Sequence, residues 1–230
     1  WSPIKLFKNT SGKLSAWDPI IEGFDGPDAS SAKPRLSDLK GWWQSIVSAD
    51  FDGDGRLDLA VGNWGKNRLR SNDQPFKRRV YFPDSPQRGL PIIEAAYSPR
   101  KNQWLPERDW GVLGNAFPSL KQKFPLFTAF SKASLDDISG AGLPTLSHWE
   151  ASETRSLVLL NRGDRFRVLP LPREAQFAPV YGMTAGDYDG NGNIDLILNQ
   201  NHYQVTGTAG RQDAGTVLFL SGKGDGTFTA

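Results

Sequence analysis

The sequence predicts an all-β repeat fold with one short helical interruption. Three observations carry that expectation. First, two nine-residue stretches share the pattern D-x-D-G-[DN]-G-x-[LI]-D: Asp50 to Asp58 and Asp187 to Asp195. Each runs into an apolar, strand-like segment, Leu59-Ala60-Val61 and Leu196-Ile197-Leu198. Second, a strand–polar turn–strand signature recurs at Leu6–Leu14, Val158–Phe166 and Val217–Phe228. Third, the 24 Gly and 16 Pro of the 230 residues mark frequent turns, which suits short strands better than long helices.

From the N-terminus, Leu6–Leu14 reads as a hairpin. In Gly41-Trp42-Trp43-Gln44-Ser45-Ile46, a strand would point Trp42 and Trp43 to opposite faces, so at least one of them belongs to the core. The first acidic loop follows. Lys77-Arg78-Arg79 is expected to be a solvated basic loop. Tyr81–Ser98 reads as a decayed repeat.

The stretch 106–140 breaks the β rhythm. Trp110, Leu113, Phe117, Leu120 and Phe124 recur at three- and four-residue spacing, predicting an amphipathic helix interrupted by Pro118. A second short helix is expected after Ser134 as N-cap, with Asp136 and Asp137 in its first turn. Asp137–Thr145 imitates the glycine placement of the acidic loops but keeps one carboxylate, so it is read as a helix end or an irregular loop. Beyond it, hairpin, connection, acidic loop, strand and next hairpin form a unit of about 60 residues. Four strands in such a unit fit a β-propeller blade somewhat larger than common blade repeats. The chain supplies about four such blades. Residues 1–230 are therefore read as one partial propeller carrying a helical insert over 106–140. Gly224–Phe228 reads as the middle of a hairpin, so the chain is expected to continue within a larger ring.

The acidic loops carry the chemistry. Oxygen ligands at alternate positions of a glycine-bent loop suit a hard cation such as Ca²⁺. In the first loop the expected ligands are Asp50, Asp52, Asp54, the Arg56 carbonyl and Asp58. In the second they are Asp187, Asp189, Asn191, the Asn193 carbonyl and Asp195. Gly55 and Gly192 sit where the chain must turn sharply for the carboxylates to converge. An EF-hand shares the opening spacing but needs a Glu at loop position 12 and flanking helices. Val61 and Leu198 occupy that position here, and the flanks are strand-like. A metal-free Asx-type turn is the remaining alternative. The first loop has four carboxylates and the second three, so carboxylate count predicts tighter Ca²⁺ at the first.

Composition narrows the function classes. A net charge of +2 supplies no global field for nucleic acid or an anionic membrane. The absence of cysteine excludes disulfides, zinc–thiolate sites and thiol catalysis. No run approaches the roughly 18 apolar residues of a membrane span. His148 and His202, the two histidines, sit in no ligand or nucleophile motif. Arg108-Asp109 and Arg211 with Asp213 read as bracing pairs, so no enzymatic activity is expected. The eight Trp raise a glycan as alternative partner, because exposed aromatic rings stack on sugars. Trp42, Trp43, Trp64, Trp104 and Trp110 are the candidates, set against a packing role between blades.

The two loops, with L-x-x-G-N or L-x-L-N after them, resemble VCBS/FG-GAP-like repeats, akin to the calcium-binding blades of integrin α-subunits. Further segments narrow the resemblance to a bacterial subgroup related to the ASPIC/UnbV and cartilage acidic protein group. These are Gly41–Ile46, Phe117–Phe124, Ser134–Ile138, Leu169–Pro172 with Ala175-Gln176, Pro179–Met183 and Gly210–Ala214. The resemblance implies a β-propeller with Ca²⁺ in its blade loops, exported to the periplasm, the cell surface or the medium. It also implies a non-enzymatic module for protein–protein interaction or adhesion, as a subunit of a larger surface assembly. The alternative is a carbohydrate-binding module or the non-catalytic part of a polysaccharide-active enzyme. Relatives carry a further acidic loop near 82–91; Phe82–Gly89 departs from it, and the ASPIC/UnbV domain is absent from these residues.

Overall fold

A computed structural model describes residues 1–25, 33–66, 77–82, 92–116, 118–139, 146–201, 215 and 217–230. In chain order the strands are β1 (Ser2–Pro3), β2 (Leu6–Thr10), β3 (Lys13–Trp17), β4 (Ile20–Glu22), β5 (Lys40–Gly41), β6 (Ser45–Ala49), β7 (Asp58–Gly62), β8 (Arg78–Phe82), β9 (Ile93–Ser98), β10 (Gln103–Pro106), β11 (Ser147–Ala151), β12 (Leu157–Asn161), β13 (Arg165–Pro170), β14 (Val180–Gly186), β15 (Asp195–Gln200), β16 (Leu218–Gly222) and β17 (Phe228–Thr229). The helices are α1 (Trp110–Ala116), α2 (Pro118–Lys123), α3 (Phe127–Phe130) and α4 (Leu135–Ser139). The fold is mostly β, as the turn-rich composition predicts. The chain forms two compact units, Trp1–Ser71 with Ser152–Ala230, and Asn72–Ala151.

The first unit holds two sheets built on one plan. One has the order β4-β13-β12-β7-β6, the other β14-β15-β16-β17. In each, the acidic loop joins one antiparallel pair, β6 to β7 or β14 to β15. A hairpin, β12–β13 or β16–β17, forms the next pair. The second strand of the acidic pair bonds to the first strand of the hairpin, β7 to β12 and β15 to β16. The second unit enters the chain between β7 and β12, at the point where residues 201–217 link β15 and β16 in the other sheet. Small pairs, β1–β5 and β2–β3, complete the first unit. The β2–β3 turn places Ser11 and Gly12 at φ +51° and +84°, the geometry a two-residue hairpin needs, and Asn9 Oδ1 accepts the Gly12 amide at 2.9 Å.

Strand β12 explains why this sheet is stable. Its Leu157, Val158, Leu159 and Leu160 are all buried. Val158 and Leu160 join a cluster with Phe51, Ala60, Val180, Leu196, Leu198, Leu220 and Phe228. Leu157 and Leu159 join the opposite cluster with Ile21, Leu36, Val61, Phe166 and Val168. An apolar run without alternation is what a strand covered on both faces requires. Full burial of each such side chain contributes about 1.5–3 kcal/mol.

The second unit has one antiparallel sheet, β10-β9-β8-β11. Tyr81, Ile93 and Ala95 pack there with Leu135 of α4. The helices hold their own cluster, Leu113, Leu120, Phe130, Ala133 and Ile138, with Trp110 and Phe124 against it. The apolar spacing from Trp110 to Phe124 yields two short helices, with Pro118 opening the second. Ser134 caps α4: its Oγ accepts the Asp137 amide at 3.0 Å, while Asp137 Oδ2 accepts the Ser134 amide at 2.8 Å.

Two sequence expectations are corrected in this unit. Arg78 and Arg79 are not in a solvated loop but in β8. Arg78 is buried and pairs with Glu107 at 3.2 Å. Arg79 meets Glu150 at 2.7 Å and lies over the Trp104 ring. Charges enter a strand when each finds a partner, and composition alone does not reveal the partner. Arg108 and Asp109 do not brace each other: Arg108 pairs with Glu94 at 3.0 Å, and Asp109 Oδ1 accepts the Val112 amide in the first turn of α1.

Among the described residues no helix is long and apolar enough to cross a membrane. The altered loop near 82–91 lies outside the described residues from 83 to 91, as do 140–145 of the Asp137–Thr145 imitation.

Candidate metal centre

The first acidic loop bridges β6 and β7, and backbone amides shape it. Asp50 Oδ1 accepts the Asp54 amide at 3.1 Å and Oδ2 the Gly55 amide at 2.8 Å. Asp58 Oδ2 accepts the Phe51 amide at 2.9 Å, and its Oδ1 accepts the Asn161 amide at 2.7 Å. Gly53 and Gly55 take φ of +71° and +82°, the left-handed region that costs a side-chain-bearing residue energy. Phe51, the second residue of the motif, is buried and meets Phe228 edge-on at 5.7 Å, so the core anchors this loop.

The result is a convergence of carboxylates. Asp50, Asp52 and Asp58 each bring one oxygen to within 4.8 Å of the others. Asp58 is fully buried, and burial pushes its carboxyl pKa up, partly offset by its two amide bonds. The Asp52 side chain is only 7% exposed, and its buried Oδ1 has no hydrogen-bond partner. An unpaired buried carboxylate oxygen is costly unless a cation meets it. Asp54 stands outside this cluster. Its Oδ1 accepts the Arg56 amide at 3.0 Å, and its Oδ2 pairs with Arg56 Nη2 and, at 2.8 Å, with Arg162 Nη1. Arg162 Nη2 also reaches Asp52 Oδ2 at 2.7 Å. Arg56 Nε donates to the Asn161 carbonyl at 2.9 Å.

The second loop repeats the frame. Asp187 accepts the Gly190 and Gly192 amides at 2.8 and 3.0 Å. Asp195, fully buried, accepts the Tyr188 amide at 2.9 Å, the Asp189 amide at 3.3 Å and the Gly222 amide at 2.8 Å. Burial alone would raise the Asp195 pKa, but these three amides hold it below the usual carboxylate value. Asp187, Asp189 and Asp195 converge within 4.8 Å. Asn191 Oδ1 accepts the Asn193 amide at 2.7 Å and its Nδ2 donates to Asp189 Oδ2 at 2.9 Å. Ser221 Oγ donates to the same Asp189 oxygen at 3.1 Å. Tyr188, the counterpart of Phe51, is exposed and bonds Thr184 at 2.8 Å instead of entering the core.

Three carboxylates of each loop are thus brought together. Sequence reasoning missed Arg162, which meets Asp54 across 108 residues and leaves no local signal beyond a turn residue of the Val158–Phe166 hairpin.

The other singled-out residues lie elsewhere. His148 is in β11, its ring 5.3 Å from Tyr81. His202, Arg211 and Asp213 lie outside the described residues. Trp43 packs in the Leu157–Phe166 cluster. Trp42 stands edge-on to Trp1 and to Trp64, and Trp64 edge-on to Tyr181.

The FG-GAP repeat profile matches residues 42–67, a span containing the whole first acidic loop. No curated protein and no solved structure matches the chain.

Proposed function

We propose that the protein is a non-enzymatic, extracytoplasmic β-propeller-type module that binds Ca²⁺ at two acidic loops and makes protein–protein contacts within a larger surface assembly. The observation that carries the metal reading is Asp52 Oδ1, buried and unpaired beside the converging oxygens of Asp50 and Asp58. The donor set is all oxygen, which suits a hard cation. Asp50, Asp52 and Asp58 would hold one ion, and Asp187, Asp189 and Asp195 the other, with Asn191 and the Arg56 and Asn193 carbonyls as further candidates. Bound Ca²⁺ would neutralise the carboxylates and rigidify the loop between two paired strands. Affinity of about 10⁻⁴–10⁻³ M is expected for an extracellular module of this kind.

The FG-GAP match at 42–67 supports a propeller-type repeat, and with it the interaction and export readings. The carbohydrate reading draws less support. Trp42 and Trp64 meet neighbouring rings edge-on, and Trp43, Trp104 and Trp110 pack against buried clusters. Those are packing roles rather than open stacking platforms.

Thermal unfolding in EGTA and in a few millimolar Ca²⁺ tests the proposal. Calcium should raise the melting temperature of the wild type, and Asp52→Ala should reduce the rise. An identical melting temperature in both conditions would refute it.

A further inference from the structure

The first acidic loop carries an internal cation. Arg162, on the turn between β12 and β13, holds two of the four carboxylates, Asp52 at 2.7 Å and Asp54 at 2.8 Å. Arg56 adds a second guanidinium to Asp54. Asp52 is divided: Oδ2 faces Arg162, while the buried Oδ1 is unpaired. Both Asp54 oxygens are engaged, one by the Arg56 amide and the other by two guanidinium groups, and Asp54 stays out of the Asp50–Asp52–Asp58 cluster.

The second loop shows what the frame does without such a group. Among the described residues, its carboxylates bond backbone amides, Asn191 and Ser221, and no arginine or lysine. Asp187, Asp189 and Asp195 nonetheless bring their oxygens within 4.8 Å of one another, as the first loop's three do. The loop geometry therefore does not require a guanidinium. What Arg162 adds at the first loop is positive charge, placed on a carboxylate that would also meet the ion. Its side chain is about one-third exposed, at 32%, so it can release toward solvent.

We propose that Arg162 is a built-in competitor of the divalent cation at the first acidic loop. This rests on the reading of that loop as a Ca²⁺ site. In the calcium-free protein the guanidinium neutralises Asp52 and Asp54 and clasps the β12–β13 turn to the loop. A divalent ion on Asp52 repels it and releases Asp54. Arg162 thus lowers affinity at this loop and couples its occupancy to the clasp. Like charges sharing one carboxylate repel enough that removing the guanidinium should tighten binding about tenfold.

The test is calorimetric titration of the full chain with Ca²⁺, in an Asp189→Ala background that weakens the second loop. Arg162→Gln should bind at the first loop about tenfold more tightly than Arg162, while Arg162→Lys, which keeps the charge, should stay within about threefold. Binding by Arg162→Gln that is unchanged or weaker would overturn the proposal and leave the Ca²⁺ reading intact. No binding by any of the three would overturn both. A second measurement needs no substitution. In the wild type, the Arg162 guanidinium proton resonances should exchange slowly in EGTA and fast in Ca²⁺. Resonances that calcium leaves unchanged would overturn the competition.

Discussion

The backbone amide of Asn161 donates to Asp58 Oδ1 at 2.7 Å across 103 residues of sequence. The same carboxylate accepts the Phe51 amide, so one buried side chain closes its own loop and fastens it to the next strand. Asp195 does the same with Tyr188 and Gly222. The last aspartate of each motif is therefore a structural bracket as well as a candidate ligand. Asp58→Ala and Asp195→Ala should each lose about 2–4 kcal/mol, because buried amides are left unpaired. Urea unfolding in EGTA checks this, since the loss should be present without calcium.

The glycines at the sixth motif position give a separate prediction. Gly55 and Gly192 have φ of +82° and +86°, and a Cβ at either would meet nothing within 4 Å. The penalty for alanine is thus conformational rather than steric. Gly55→Ala and Gly192→Ala should each cost about 1–2 kcal/mol. Urea midpoints measure the cost, and equal midpoints for wild type and variants would contradict it.

Calcium affinity should rank against the carboxylate count. The first loop sets four carboxylates against the guanidinium groups of Arg56 and Arg162. The second sets three against no cationic side chain among the described residues. The second loop should therefore bind Ca²⁺ more tightly, reversing the order that counting aspartates suggests. Titration of Asp50→Ala, which leaves the second loop, against Asp187→Ala, which leaves the first, compares the two directly.

Much of this was legible in the sequence, and the limits have physical causes. The converging carboxylates could be read because their spacing is local, and the hairpins because their turns need residues such as Gly12 and Gly163 at positive φ. Helices between 110 and 139 showed in the Trp110–Phe124 spacing and in the Ser134 cap. The separate sheet of the second unit did not show, because β8 opens with Arg78, whose burial depends on Glu107 across the unit. Nor did Arg162, whose carboxylate partners are more than a hundred residues away.

The α4 cap yields a pH dependence. The Ser134 hydroxyl and amide hold the Asp137 pKa below its usual 3.8. A lowered folded-state pKa means the cap's contribution is present above that usual value and is lost as pH falls through the depressed one. Ser134 amide exchange should accelerate in that acid window in the wild type. In Asp137→Asn it should not change there.

Calorimetric titration of the calcium-stripped 230-residue protein counts its calcium sites. Two Ca²⁺ should bind per chain, with Asp50→Ala and Asp187→Ala each removing one. No heat of binding in the wild type, with the protein folded, would rule out calcium at both acidic loops.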